Sequence, residues 1–234
     1  MAKILMIISA ADSLTLADGT AHPTGYWAEE VVASHEVLAG AGHQVDIATP
    51  GGVRPTVDPI SLDERGGVQP ADGARFRAYL DSLAAALDAP LDLGTVRAAD
   101  YDALYLPGGH GPMADLADNP VLGALLADAD RSGLTVAALC HGVAGLLSAT
   151  KADGGFLFAG RSLTGFTNDE EYQGGLGDAS PWLLETRLAE RGALVKTGAP
   201  WSDTVVTDGN LITGQNPQSS TTTAREVLAS LSRA

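Results

Sequence analysis

An α/β fold, with a mostly parallel sheet doubly wound by helices on both faces, is the class this sequence predicts. Three observations carry that reading. Short apolar runs with β-branched residues alternate with amphipathic helical segments from end to end, the pattern of buried parallel strands and their crossover helices. Glycine-rich loops follow two of those runs, at 107–111 and 140–142. One long Gly-, Pro- and Asp-rich stretch stands outside the alternation. With 234 residues, 45% of them hydrophobic, the chain is expected to form one domain over 1–234, carrying a lid or edge excursion over 50–72.

The elements follow in order. Ile4 to Ser9 reads as the first strand: the apolar run after Lys3 is too short for a secretory segment, and Asp12 arrives too soon. A polar loop, Asp12 to Thr24, leads into a helix whose ridge is Trp27, Val31, Ser34, Leu38 and Ala41, punctuated by Gly40 and Gly42. Gln44 to Ala48 is the second strand. Pro50 to Pro70 lacks periodicity and reads as the excursion. A helix is expected from Gly73 to Leu87, a strand from Ala103 to Leu106, and a helix from Asn119-Pro120 to about Arg131, with Pro120 suited to a first turn. Thr135 to Leu139 is a strand and Val143 to Ala149 a helix. Pro181 introduces a helix over Trp182 to Arg191, Leu211 to Thr213 is a strand, and Ala224 to Arg233 closes helically.

Composition narrows the function. The formal net charge is −15, from 14 Lys+Arg against 29 Asp+Glu, which argues against a nucleic-acid surface and against anionic membranes. No segment has the apolar length of a bilayer span. Cys140 is the single cysteine, and no CxxC or Cys/His ligand cluster occurs, so a reducing cytoplasm is expected and a metal site is not.

Cys140 also sits where the strand ends and His141-Gly142 begins the next segment. A strand-to-helix turn lifts a reactive atom to the top of a sheet beside helix N-terminal amides, which favour a thiolate and are expected to lower its pKa. A buried, inert cysteine is the competing reading. In a parallel sheet ligands collect beyond the C-terminal ends of the strands. Pro107-Gly108-Gly109-His110-Gly111, Cys140-His141-Gly142 and the loop leading to Glu29-Glu30 all fall there.

Glu30 lies on the inward side of its helix, where burial favours the protonated acid. It can serve as a general acid-base beside the sulfur, or simply complement the helix dipole; both readings stand. Glu29 is expected to face solvent. The backbone amides of His141 and Gly109 are candidate oxyanion donors, His110 belongs to the pocket wall, and Glu170 or Glu171 is the available partner for the His141 ring. His22, His35 and His43 read as surface or loop residues, and Tyr26 and Trp27 as a narrowing of the pocket mouth.

Taken together, Thr24-Gly25 followed by Glu30, Pro107-Gly108-Gly109-His110-Gly111, Leu139-Cys140-His141-Gly142 and Leu211-Ile212-Thr213-Gly214-Gln215-Asn216-Pro217 resemble the DJ-1/PfpI superfamily, in its Hsp31-like branch. The resemblance covers nearly the whole chain. It implies a flavodoxin-like α/β sandwich with Cys140 on the elbow, Glu30 beside it, and His141 with Glu170 or Glu171, Glu171 preferred, completing a triad. It also implies a cofactor-independent glyoxalase that converts methylglyoxal or a related 2-oxoaldehyde to a 2-hydroxy acid, acting as a cytoplasmic homodimer. Other cysteine-dependent hydrolase or hydratase chemistry, a stress-response chaperone and a redox sensor are the alternatives within the superfamily. A class I glutamine amidotransferase triad needs a histidine well after the cysteine, and none follows His141.

Overall fold

The apolar runs become the strands of one seven-stranded sheet. In the computed structural model, which describes residues 1–233, the spatial order is Val205–Asp208, Leu211–Gly214, Thr135–Leu139, Ala103–Leu106, Lys3–Ile7, Gln44–Thr49 and Leu91–Asp92. Every pairing is parallel except that of Val205–Asp208 with Leu211–Gly214, an antiparallel edge.

Successive strand side chains face opposite ways, so the sheet separates two cores. Leu5, Ile7, Leu104, Leu106, Val136 and Ala138 belong to one; Ile4, Met6, Ala103, Tyr105, Ala137 and Ile212 belong to the other. The helices Ala28–Gly40, Pro70–Ser82 and Ser220–Leu231 cover the second core, while Pro120–Arg131 and Leu184–Glu190 cover the first. Burying each large aliphatic side chain contributes roughly 1.5–3 kcal/mol, so these two layers are the main source of stability. No helix among the described residues is long and apolar enough to cross a membrane.

Several boundaries differ from expectation for identifiable reasons. The helix expected from Gly73 starts at Pro70, whose fixed φ suits a first turn, and it breaks at Leu83 before a short helix, Ala84–Asp88. The helix expected from Trp182 starts at Leu184, and the last one starts at Ser220, four residues early. The segment after Cys140 is a 3₁₀ winding over Cys140–Ser148 rather than an α-helix from Val143. It is buried from Cys140 to Leu147, and Gly142 lies so close to the preceding loop that a Cβ there would stand 2.2 Å from the Leu106 carbonyl oxygen. The excursion after Thr49 contains short 3₁₀ turns at Pro50–Gly52, Pro59–Leu62 and Glu64–Gly66. It is tied to the body by Asp58, which accepts from Thr24 Oγ1 at 2.7 Å, and by Tyr26, which bridges Val57. The two-residue strand Leu91–Asp92 and the hairpin of Ser13–Thr15 with Ala21–Pro23 lack the apolar pattern that would announce them.

Candidate active site

The C-terminal ends of the parallel strands place the site. Leu106 leads into the 107–111 loop and Leu139 into Cys140; the adjacent strand ends at Gly214, just before Gln215-Asn216. Cys140 holds φ 55°, the left-handed region that side chains other than glycine seldom adopt, which is the backbone signature of an elbow under strain. Gly109 holds φ 90°, and a Cβ there would lie 2.4 Å from the Gly25 carbonyl oxygen and 2.6 Å from Trp27 N. The loop therefore packs flat on the start of the Glu30 helix, joined by Trp27 N–H donating to Gly108 O at 3.0 Å.

That packing fixes Glu30. It is fully buried; Oε2 accepts from Gly108 N–H at 2.6 Å, and Oε1 has no conventional partner. Burial pushes its carboxyl up to about 8, partly opposed by the hydrogen bond from Gly108 N–H and by the nearby Cys140 thiol. Glu30 is therefore protonated at neutral pH, as its inward placement predicts.

The thiol itself departs from expectation. Its pKa lies well above the ordinary value, because burial and the neighbouring Glu30 carboxyl outweigh the His141 N–H that lowers it. Cys140 is only 4% exposed, and that desolvation defeats the helix-terminus effect expected from the sequence. Sulfur and carboxyl thus form a coupled pair that resists a second negative charge.

His141 is buried, with Nδ1 3.6 Å from Cys140 Sγ and Nε2 2.7 Å from Glu171 Oε2. Burial works against charge on Glu171, but His141 and His110 outweigh it and hold this carboxyl well below the usual range. An ionised Glu171 can only accept, so His141 carries its proton on Nε2 and turns the Nδ1 lone pair toward the sulfur. Burial, reinforced by His110, lowers the His141 pKa and keeps the ring neutral. His110 Nε2 meets the other Glu171 oxygen at 2.8 Å.

The sequence left Glu170 and Glu171 as alternatives, and the geometry separates them. Glu170 turns inward, where Oε2 accepts from Thr167 N–H and Oγ1 in a capping box that starts the helix Asn168–Gln173. Its Oε1 accepts from Trp201 N–H at 2.7 Å, Asn216 Nδ2 at 2.8 Å and Gln215 Nε2 at 3.1 Å. The Gln215-Asn216 pair therefore anchors Glu170 and, one residue on, Glu171.

A cavity of about 660 Å³ opens above Cys140, walled by Trp27, Ile60, Val68, Phe166 and Trp201 together with His110, His141 and Glu171. Phe166 lies over His141 with ring centroids 4.6 Å apart, and Trp201 meets Phe166 edge-on at 5.5 Å. No sequence signal marked those two aromatics. The excursion supplies Ile60, Arg65 and Val68, so it lines the cavity rather than merely lying at an edge. Glu29 also lines the cavity and is half-buried under that excursion, not turned to solvent. Tyr26 is buried in the core and leaves Trp27 alone at the mouth. His35 is not a surface residue: it is buried on its helix with Nδ1 2.9 Å from the Tyr79 hydroxyl. His22 lines the cavity, and His43 sits in a turn, accepting from Ala2 N–H.

Comparison with known proteins agrees with this architecture. The sequence profile of the DJ-1/PfpI family matches residues 22–230. The chain is 30% identical to glutamine amidotransferase-like class 1 domain-containing protein 1 of Bos taurus over 191 residues, 82% of each chain. It is 28% identical to glyoxalase 3 of Candida albicans over 240 residues, 98% of each. The solved structure of glyoxalase III from Candida albicans superposes with a TM-score of 0.82 at 26% identity, covering 97% of this chain and 96% of that one.

Proposed function

Since the chain belongs to the DJ-1/PfpI family, we propose that it is a glutathione-independent glyoxalase acting on methylglyoxal or a related small 2-oxoaldehyde. The observation that carries this reading is the fully buried, protonated Glu30 placed beside Cys140 on its strained elbow. The name of the Candida albicans relative, glyoxalase 3, points the same way.

The chemistry follows from the proton positions. The Cys140 thiol gives its proton to His141 Nδ1 as the sulfur attacks the aldehyde carbon, and a hemithioacetal forms. Glu171 steadies the resulting imidazolium through Nε2. The amides of Gly109 and His141 face the developing oxyanion; Gly109 N–H makes no hydrogen bond to the rest of the described chain. Glu30 gives its proton to that oxyanion and, now a carboxylate, removes the proton from the former aldehyde carbon while the His141 imidazolium protonates the neighbouring ketone oxygen to give an enediol. Glu30 then delivers the proton to the adjacent carbon as His141 takes one from the first hydroxyl, leaving a thioester. Water cleaves that thioester to the 2-hydroxy acid and restores the thiol. One carbon is oxidised and its neighbour reduced within one molecule, so no external electron acceptor enters the balance.

A titratable group near pH 8 suits both halves of the shuttle, because it can take and release a proton near neutrality. We assign the chain to one catalytic domain with the 50–72 excursion as its lid, to a homodimer and to the cytoplasm. The deciding experiment measures lactate formed from methylglyoxal without glutathione. Wild-type protein turns over, and Cys140→Ala is inactive with an unchanged circular dichroism spectrum. Activity surviving in Cys140→Ala, or peptide hydrolysis with no lactate, refutes the proposal.

A further inference from the structure

We propose that His110, His141 and Glu171 form a binding site for a zinc-type divalent cation, and that filling it switches the catalytic pair off. The mechanism above needs one histidine on Glu171. The structure supplies two, and each meets a different carboxylate oxygen: His141 Nε2 at 2.7 Å from Oε2 and His110 Nε2 at 2.8 Å from Oε1. The three ligand atoms lie within 4.8 Å of one another, and the two imidazole centroids are 4.2 Å apart. His110 has no proton to move in the proposed reaction, so its placement is unexplained by that chemistry.

Two imidazoles and one carboxylate form the donor set of His₂Glu zinc sites, which keep a further position open for water or ligand. Zinc–nitrogen and zinc–oxygen bonds are each about 2.0–2.2 Å, so neighbouring donors around a tetrahedral ion stand about 3.4 Å apart. The observed nitrogen–oxygen pairs, at 2.7 and 2.8 Å, need to open by a little over half an ångström. His110 can supply that movement, since it follows Gly109 in a loop and its side chain is 12% exposed. All three ligands line the cavity, which gives the ion its route and its open coordination position. Cys140 is not part of the set: its sulfur faces Nδ1 of His141, on the other side of the ring.

Binding moves the His141 proton: the neutral ring gives up its Nε2 proton to coordinate and carries one on Nδ1 instead. For His141 this replaces the lone pair facing sulfur with an N–H, so the ring can no longer accept the thiol proton. Inhibition therefore rests on the glyoxalase reading above, whereas binding does not, and the two are measured separately.

Calorimetry of the metal-free protein with zinc chloride tests the site. One ion per chain is expected. Cys140→Ala keeps that affinity within about twofold, while His110→Asn and Glu171→Gln each weaken it by at least about tenfold. Cobalt(II) gives a second reading that requires no variant: a visible ligand-field spectrum without sulfur-to-metal charge transfer. In turnover assays zinc lowers kcat, and EDTA restores it. Absence of binding, loss of binding in Cys140→Ala, unchanged affinity in His110→Asn, or a sulfur-to-cobalt band overturns the proposal. Zinc that binds as described but leaves turnover untouched overturns the inhibition and directs doubt to the glyoxalase mechanism.

Discussion

Replacing Glu30 with glutamine should cripple activity and at the same time stabilise the fold, with a gain that depends on pH. The side chain is fully buried and its carboxyl is raised from 4.5 to about 8. In the unfolded chain the same group ionises at its ordinary value, so between pH 4.5 and 8 folding must take up a proton. The native state binds the extra proton, and stability therefore falls as pH rises through that window. At about 1.36 kcal/mol per pH unit above 4.5, the burden is negligible at pH 4.5 and about 3 kcal/mol at pH 7, and it is levelling off, at about 4 kcal/mol, by pH 8, where the native group is itself half ionised. Glutamine has the same shape and can still accept from Gly108 N–H, but it carries no titration. Glu30→Gln should melt roughly 6–12 °C above wild type at pH 7, with the difference vanishing near pH 4.5 and growing toward pH 8. Turnover should fall by about 10²–10⁴-fold, the usual contribution of a general acid-base. Thermal melts across this pH range, paired with lactate assays, measure both effects. A variant no more stable than wild type at every pH means that Glu30 is not held protonated, and the mechanism loses its proton carrier.

The remaining predictions concern the scaffold and the assembly. Glu170→Ala leaves five donors without their acceptor, from Thr167 N–H and Oγ1, Trp201 N–H, Gln215 Nε2 and Asn216 Nδ2. It should destabilise the protein by about 3–5 kcal/mol in denaturant titration, and kcat should fall more than KM rises, because Glu171 loses its anchor. Light scattering should give a mass near twice that of the chain; a monomer across the working concentration range removes the homodimer assignment.

The strands and the elbow were legible because one physical signal dominates each. Fully buried parallel strands leave continuous apolar runs, and Ala103–Leu106 and Thr135–Leu139 match their sequence boundaries. Where signals compete, reading weakened. Cys140 has both a favourable helix terminus and a dry surround, and only the fold shows that dryness prevails. Glu170 and Glu171 are chemically equivalent in sequence, but neighbours on a helix diverge by about 100°. One meets the Gln215-Asn216 pair and the other meets the histidines, a choice made by a segment some 45 residues later in the chain. Phe166 and Trp201 reach His141 by tertiary packing alone, which no local pattern encodes.

The same energetics bear on why Glu30 is acidic at all. A structural role beneath Cys140 would be met as well by a glutamine or methionine of similar volume, with no proton to bind on folding. A hydrolase with a Cys-His pair would gain nothing from it, because no proton moves between carbons there and the carboxyl only raises the thiol. A reaction that moves a proton between neighbouring carbons, by contrast, requires a group able to exist in both forms beside the reacting atoms. Only in that case does a buried carboxyl near pH 8 repay a folding penalty of about 3 kcal/mol at neutrality. The penalty and the chemistry therefore stand on one physical fact, the cost of ionising a carboxyl in a dry pocket. This is why an isomerising route through the hemithioacetal accounts for Glu30 and simple thiol hydrolysis does not.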